Sequence, residues 1–302
     1  MKLLLRRGVC YLGICILLIV MGCSSNQPAH PYASKEPIKT PKLFLPDIFS
    51  TDTPEMSITF SPDGHTMYFT RVSLDQLERN IYYSNFENDQ WTEPQKVSFS
   101  VDNQYDFTPF LTSDGKRLYF SSNRITDKEP STLMVYRIWY VEKDGDDWGI
   151  PQLVSDLPSG EFSISANGTA YVARMDGRTE HIFRAKWTDG KYEQAEKLSD
   201  SINDSNYYNT SPYIAPDESF LIFARYTLDM NTAMLYISYN RNGKWTEAEK
   251  LSEAINEEGY LTVGPRISPD GKYLFFDKAK RNSAINIYQV DLKETGIKYN
   301  SN

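Results

Sequence analysis

Residues 266–276 read RISPDGKYLFF, and residues 59–69 read TFSPDGHTMYF, which is nearly the same phrase two hundred residues earlier. Pro-Asp-Gly favours a turn, because proline presets φ, aspartate bonds to nearby backbone and glycine accepts a positive φ. The aromatic and aliphatic residues that follow are typical of a β-strand. A turn followed by a strand, written near both ends of the chain, indicates an internal repeat.

Five such phrases begin 50 to 53 residues apart: SPDG at 61–64, TSDG at 112–115, SANG at 165–168, APDE at 215–218 and SPDG at 268–271. Each is followed by two strand-like runs separated by a polar gap. Four units end on a closing phrase: WTEPQKV at 91–97, WGIPQLV at 148–154, YEQAEKL at 192–198 and WTEAEKL at 245–251. About four strands in each fifty residues predict a β-propeller with one blade per repeat.

The last repeat ends after three strands, near Leu292, and lacks a closing phrase. Residues 41–50 form a strand-like run that precedes the first repeat. Pairing the two ends removes two exposed sheet edges. The sequence therefore predicts an all-β fold, a five-bladed β-propeller with four-stranded blades, in which an N-terminal strand completes the last blade. The predicted blades are 55–101, 102–157, 158–204, 205–256, and 257–292 plus 41–50.

Residues 1–22 have the layout of an export signal, with basic residues followed by an apolar run at 9–20. Residues 20–23 (VMGC) resemble a bacterial lipobox, which predicts lipidation at Cys23. The alternative is an uncleaved anchor helix, for which the apolar run is short. Residues 23–40 are polar and predict a tether, with the propeller at 41–302.

Composition excludes several functions. The formal charge of −8 and the absence of a basic cluster past the N-terminus argue against nucleic acid. The cysteines are Cys10, Cys15 and Cys23, so a chain cleaved before Cys23 retains one, which carries lipid. The three histidines are scattered along the sequence. We therefore expect no disulfide, no metal site and no cofactor.

The phrases Ser-Pro-Asp-Gly-Lys-x-Leu-x-Phe and Trp-x-x-Pro/Ala-x-Lys-Leu resemble those of the WD40-like, Pro-Asp repeat propellers, which include the TolB-like proteins of bacterial envelopes. The resemblance covers residues 41 to about 292. The third repeat departs from the pattern, with Asn167 for the aspartate and a shorter turn, and the fourth lacks the glycine. The resemblance implies a binding or scaffold module for a protein or cell-wall partner. No Gly-x-Ser-x-Gly hydrolase motif is present.

Strands alternate in direction, so the start of each inner strand and the end of each second strand meet at one mouth of the channel. The repeat register places carboxylates at the inner-strand starts: Glu55, Asp106 and, with the register shifted by about two, Glu161. It places cations at the second-strand ends: Arg71, Arg124, Arg174, Arg225 and Lys278. One interpretation is cross-strand ion pairing that stabilises a polar rim. The other is a ligand-binding ring of these cations with Tyr208, suited to carboxylate, phosphate or sugar groups.

The enzyme alternative is a carbohydrate-active hydrolase in which Glu55, Asp106 and Glu161 serve as acid, base or nucleophile. Each has an arginine in the matching position, and an ion pair lowers a carboxyl pKa, which is unsuitable for a general acid. The binding function is therefore favoured. Ser24 and Ser25 follow Cys23, with no aspartate to retain the protein at the inner membrane, so we expect an envelope lipoprotein of the outer membrane that faces the periplasm.

Overall fold

The structure, a computed structural model, describes residues 30–46, 48–49, 53–73, 78–101, 104–125, 136–158 and 160–298. These residues form strands, turns and one 3-10 helix, Leu292–Glu294. Among them, no helix has the length and apolar character needed to span a bilayer. The described part of the chain is therefore all-β, as predicted. The signal segment and Cys23 lie outside it.

A short strand, β1 (Lys42–Leu43), precedes a series of antiparallel units, each with an inner, a second and a third strand in chain order. The first unit contains β2 (Glu55–Phe60), β3 (Thr66–Val72), β4 (Arg79–Glu87), β5 (Gln90–Trp91) and β6 (Gln95–Lys96). The second contains β7 (Asp106–Leu111), β8 (Arg117–Ser122), β9 (Arg137–Asp144), β10 (Asp147–Trp148) and β11 (Gln152–Pro158).

The third unit contains β12 (Glu161–Ile164), β13 (Ala170–Asp176), β14 (Thr179–Ala185), β15 (Trp187–Thr188), β16 (Lys191–Tyr192) and β17 (Glu196–Lys197). The fourth contains β18 (Tyr207–Ile214), β19 (Phe220–Thr227), β20 (Ala233–Arg241), β21 (Lys244–Trp245) and β22 (Glu249–Lys250). The last contains β23 (Tyr260–Ile267), β24 (Tyr273–Lys280) and β25 (Asn286–Asp291). Strands β6, β11, β17 and β22 are the outer strands, each paired with the third strand of its unit.

The last unit has no outer strand of its own. Strand β1 pairs antiparallel with its third strand, β25, with Lys42 opposite Gln289 and Leu43 opposite Tyr288. The paired stretch is two residues long, shorter than the predicted run at 41–50. Beyond it, Phe44 and Phe49 are buried, so this segment is held more by side-chain packing than by backbone pairing.

The apolar core lies between neighbouring units rather than inside one of them. Separate buried clusters join the first unit to the second, the second to the third, the third to the fourth and the fourth to the last. A further cluster joins the last unit to the first through Phe60, Phe69, Phe275 and Ile287, with Tyr32, Ile38, Phe44 and Phe49 from the N-terminal segment. Each blade face is therefore covered by its neighbour, including at the two ends of the series.

Four inner strands carry a β-bulge at one position. The bulged residues have left-handed backbones: Ser57 (φ 59°), Thr108 (φ 50°), Ser211 (φ 50°) and Gly264 (φ 58°). A Cβ on Gly264 would stand 2.1 Å from Asp277 Oδ2, so this site requires glycine. The third inner strand pairs without a register shift. The units are therefore not identical where they line the centre.

Residues 30–40, which the sequence assigns to the tether, pack against the propeller. Tyr32 and Ile38 are almost fully buried, and their backbones bond to the last unit. The Gln289 side-chain amide donates to the Tyr32 carbonyl (2.9 Å), and the Asp291 amide donates to the Ile38 carbonyl (3.0 Å). Burial of these two apolar side chains stabilises the docked segment, because each removes a large apolar surface from water.

Candidate functional site

Inner strands of neighbouring units contact one another, and β2 of the first unit also contacts β23 of the last. We call the space between the inner strands the channel. Its two ends differ. We call the end that carries the Pro-Asp-Gly turns the turn face, and the end where the inner strands begin the opposite face. The predicted cations and carboxylates belong to the opposite face.

Two of the predicted charge pairs are present at the opposite face. Arg71 donates through Nε (2.9 Å) and Nη2 (2.6 Å) to Glu55 Oε1, and the Glu55 side chain is fully buried. Arg124 donates through Nη2 to Asp106 Oδ2 (2.7 Å) and to the Phe99 carbonyl (2.6 Å). Each arginine therefore ties the end of a second strand to the start of the inner strand, which corresponds to the ion-pairing interpretation of the rim.

The remaining predicted cations make related contacts. Arg225 donates to Asn209 Oδ1 (3.1 Å) and to the Ile202 carbonyl (3.0 Å). Lys278 donates to Glu257 Oε2 (2.7 Å). Arg174 lies over the ring of Phe183 at 4.0 Å. Tyr208 is half-buried and pairs across the strand with Tyr226. A ligand at this ring would compete with these contacts, and its presence there stays a prediction.

The sequence predicts a lowered pKa for the ion-paired carboxyls, and this prediction is wrong for Asp106. Burial raises the pKa of this carboxyl, and the nearby Arg124 guanidinium offsets only part of that effect. The side chain has no exposed surface, so the loss of hydration outweighs the ion pair. An arginine partner alone was therefore an insufficient guide to the pKa.

Glu161 lies one residue deeper in the channel than the rim position to which the sequence reasoning assigned it with a register shift of about two. Glu55 pairs with Arg71 and Asp106 with Ser122, but Glu161 pairs with Ala173, one residue earlier in its second strand. Gly160, rather than Glu161, therefore lies at the level of Glu55 and Asp106. The cause is the missing bulge of the third unit, which shifts the residues before it by one place. The structure does not bring Glu161 into one ring with Glu55 and Asp106.

Glu161 instead faces the fourth unit. Its Oε2 accepts hydrogen bonds from Thr210 Oγ1 (2.9 Å) and from the Ser211 hydroxyl. Glu180, on the third strand of the same unit, lies within its electrostatic reach. Burial and the charge of Glu161 raise the pKa of Glu180 to about 7. Near neutral pH this carboxyl exchanges a proton, which is the property required of a general acid or base.

Arg266 and Asp277 complete a charged group inside the channel that the sequence reasoning missed. Arg266 is 7% exposed and donates to the Pro265 carbonyl (2.8 Å) and across the channel to the Phe162 carbonyl (3.4 Å). Burial raises the pKa of Asp277, although the Ser57 amide donates to both of its carboxylate oxygens at 3.0 Å. Burial also raises the pKa of Tyr226, with further contributions from Glu161, Asp277 and Glu180.

A sequence signal for this group did exist. Aligned by strand pairing, Asp277 occupies the place of Thr70, Ser121, Ala173 and Ala224 in the other units. Arg266 occupies the place of Thr59, Phe110, Ser163 and Tyr213. A charge at an inward position where the other repeats carry uncharged residues marks an unusual site.

A cavity of about 780 Å³ opens at the turn face. Its walls are the ends of the inner strands and include Phe60, Leu111, Ile164, Ile214 and Ile267. Arg266 also lines it, and its Nε has no hydrogen-bond partner among the described residues. The rim is polar, with Asp114, Lys116, Arg117, Glu142 and Lys143. An apolar interior with a few polar groups is the usual composition of a ligand site.

Within the described ranges, no group of three or more histidine, cysteine, aspartate or glutamate side chains is arranged to hold a metal ion. The described side chains of the channel include carboxyl, guanidinium, hydroxyl and phenol groups. These side chains can bind polar groups and exchange protons.

No family model matches the chain, and no curated protein matches it. Solved propellers do. A structure assigned to TolB of Agrobacterium tumefaciens aligns with a TM-score of 0.53 and 15% identity, over 82% of this chain and 80% of that one. TolB from Acinetobacter baumannii aligns with 0.50 and 12%, over 78% of this chain and 54% of that one. An endo-arabinase from Bacteroides thetaiotaomicron aligns with 0.55 and 11%, over 87% and 99%. At these identities the likeness concerns the fold, which is that of a TolB-like β-propeller.

Proposed function

We propose that this chain is a five-bladed propeller lipoprotein that binds a protein or glycan partner at the mouth of its channel. Five repeats, the pairing of β1 with β25 and the apolar cluster between the last and first units support a closed ring of five blades. Cys23 carries the lipid, residues 1–22 are the signal, and the outer membrane, on its periplasmic side, is the proposed location.

The observation that carries the binding function is the turn-face cavity. Its volume of about 780 Å³ falls in the range of sites that bind drug-sized ligands or a few residues of a chain. Inner strands from every unit line it, so ring closure and the site depend on each other. A surface that served only to close the ring would not need an open apolar hollow with a charged rim.

The test is crosslinking from inside the cavity in intact envelopes. A photoreactive residue at Ser113, which is exposed and lines the cavity, should yield a defined adduct. The same residue at Ile150, 84% exposed and outside the cavity lining, is the control. Adding Ala166→Trp, which fills the mouth from an exposed position, should abolish the adduct. Equal adducts at positions 113 and 150, or an adduct that survives Ala166→Trp, would contradict binding in the cavity.

The alternative function is a carbohydrate-active hydrolase. One observation favours it: burial and the nearby charge of Glu161 raise the pKa of Glu180 to about 7. Among the three predicted carboxylates, Glu161 is the one that acts on Glu180, whereas Glu55 and Asp106 are bound by Arg71 and Arg124. The similarity in fold to an endo-arabinase is compatible with such chemistry but does not assign it.

A hydrolase would release reducing sugars from plant or envelope polysaccharides. Glu161→Gln and Glu180→Gln would each abolish that release while leaving the fold intact, as measured by circular dichroism and thermal unfolding. If the unmodified protein releases no sugar from a broad polysaccharide panel, or if both variants stay active, the hydrolase function is eliminated.

A further inference from the structure

The N-terminal segment reaches the propeller at the turn face, beside the cavity. His30 Nδ1 donates to the carbonyl of Asp63 (2.9 Å), which belongs to the first Pro-Asp-Gly turn. The His30 ring stacks on Tyr32 with centroids 5.0 Å apart. Pro62, the neighbour of Asp63, lines the cavity. The described chain therefore starts near the centre of the turn face.

From there the chain runs outward towards the edge of the last blade. The Ser34 amide donates to the Tyr273 hydroxyl (3.2 Å), and the Ile38 amide donates to Asp291 Oδ1 (3.2 Å). Only then does β1 pair with the outer side of β25. The order of contacts is thus face first and edge second, so the described chain begins at the turn face.

We infer that the turn face, with its cavity, is held towards the lipid membrane, and that the opposite face points away from it. This inference rests on the proposed lipidation of Cys23. Cys23 precedes His30 by seven residues, which span at most about 25 Å when fully extended. The first turn, and the cavity beside it, therefore stay within about that distance of the lipid.

The reverse orientation exceeds this reach. To place the opposite face against the membrane, the linker would cross a four-stranded blade, about 15 Å at ~4.8 Å per strand, and then follow a strand. The second strand β3 has seven residues, or about 23 Å of length. The path of about 38 Å is longer than the linker.

The turn face is directed at the membrane without being suited to enter it. Asp63 and Asp114 in its turns have pKa values below the usual range. For Asp63, partial burial raises the pKa, but hydrogen bonds from Ser61 and His65 outweigh it. For Asp114, hydrogen bonds from Thr112 and Lys116 lower the pKa. These ionised carboxylates, together with Lys116, Arg117 and Lys143 of the same face, are costly to bury in a bilayer. The extended linker allows a gap of up to about 25 Å between this face and the lipid.

The test uses the full lipidated protein in phosphatidylethanolamine–phosphatidylglycerol vesicles that contain a headgroup spin-labelled lipid. Processing removes Cys10 and Cys15 and lipid blocks Cys23, so one introduced cysteine takes a fluorophore cleanly. Ser113→Cys reports on the turn face. Leu228→Cys, 55% exposed in the loop between β19 and β20, reports on the opposite face. We expect several-fold stronger quenching at position 113 than at position 228.

Two further variants test the role of the docked segment. Tyr32→Ala frees the residues before Ile38, which lengthens the linker from Cys23 to 15 residues and about 54 Å. Insertion of twenty Gly and Ser residues before His30 lengthens it without touching the core. Both should remove the difference in quenching, with unfolding curves confirming that each variant is folded.

The outcomes separate the orientation from the anchor. Equal quenching at the two positions, or stronger quenching at position 228, in protein that floats with the vesicles overturns the orientation. Failure to float, with no diacylglyceryl mass on the N-terminal peptide, overturns the lipid anchor and the orientation with it. A Cys23→Ser variant sets the quenching expected of unanchored protein.

Discussion

Phe44 offers the sharpest test of whether the N-terminal segment is part of the folded propeller. Its ring is 2% exposed and packs edge-on against Phe275, 5.0 Å between centroids, and near Phe49 at 5.8 Å. Phe275 comes from the last unit, and the same cluster contains Phe60 of the first. Phe44→Ala therefore removes a side chain from the contact between the two ends of the series.

The expected cost follows from this burial. Replacing a fully buried phenylalanine by alanine lowers the free energy of unfolding by about 3 to 5 kcal/mol, because apolar contacts are lost and a cavity remains. For a domain of this size, each kcal/mol shifts the unfolding temperature by about 2 to 4 °C. The predicted decrease in Tm is therefore about 6 to 20 °C.

The assay is thermal unfolding of the mature chain, followed by circular dichroism and calorimetry. Leu43→Ala is the matched control, because the adjacent side chain is 39% exposed and its loss should change the stability by less than about 1 kcal/mol. A Phe44→Ala variant that unfolds within about 2 °C of the parent would refute the reasoning. The segment would then be an attachment to the ring rather than part of it.

Three further changes follow from the channel and its rim. Gly264→Ala combines a left-handed backbone, worth about 1–2 kcal/mol, with a Cβ 2.1 Å from Asp277 Oδ2, so denaturant unfolding should show a loss well above 2 kcal/mol. Arg124→Ala leaves Asp106 buried without its guanidinium and should cost about 3–5 kcal/mol at neutral pH by the same measurement. Because the pKa of Glu180 is raised from 4.5 to about 7, the unfolded chain ionises first, so the free energy of unfolding should fall as pH rises from 4.5 to 7, and Glu180→Gln should flatten that slope.

Each of these has a control within the same chain. Gly259→Ala has a comparable φ of 81° and no atom within 4 Å of the added Cβ, so it should show the backbone cost alone. If it equals Gly264→Ala, the clash with the carboxylate does not matter. Arg117→Ala breaks the exposed pair with Glu142 and should cost less than about 1 kcal/mol. For the pH profile, an unchanged slope in Glu180→Gln would assign the titration to another carboxyl.

The turns and strands were predictable because the same turn and strand pattern occurs five times in the sequence. Pro-Asp-Gly and the aromatic run after it have strong local preferences, and the closing phrase marks each outer strand. The location of a strand near Lys42 that pairs with the last unit was also predicted, since an incomplete unit at one end and an extra strand at the other leave few arrangements. These predictions follow from local turn and strand propensity and from the number of strands in each repeat.

The level of Glu161 in the channel was not predictable in the same way. It depends on an inner-strand bulge in which Ser57, Thr108 and Ser211 adopt a left-handed backbone that these residues rarely favour. Only Gly264, a glycine at the equivalent position, is a sequence signal for this backbone. A bulge changes the alignment by one residue and leaves the strand pattern almost unchanged. Comparing repeats by sequence alone assigned Glu161 to the rim with a register shift of about two, whereas strand pairing places Glu161 one residue deeper than the level of Asp106.

The packing of residues 30–40 against the propeller was not predictable from composition. Composition suggested a solvated tether, and most of these residues are polar. Two side chains, Tyr32 and Ile38, decide the outcome because they find apolar surface between the first and last blades. Average composition describes a segment poorly when a few buried contacts provide most of its stability.

The third unit is where the repeat departs most and where the unusual chemistry lies. It lacks the inner-strand bulge and the Pro-Asp-Gly turn, and it supplies Glu161 and Glu180, whose charges interact. In the last unit, burying Asp277 near Arg266 costs free energy that Thr70 or Ala224, at the positions equivalent to Asp277, does not cost. A ring selected only for stability would carry such uncharged residues throughout. Since local rules fail mainly where function requires it, the buried charges of the channel are expected to contribute to the proposed binding site, which Arg266 reaches as part of the turn-face cavity lining.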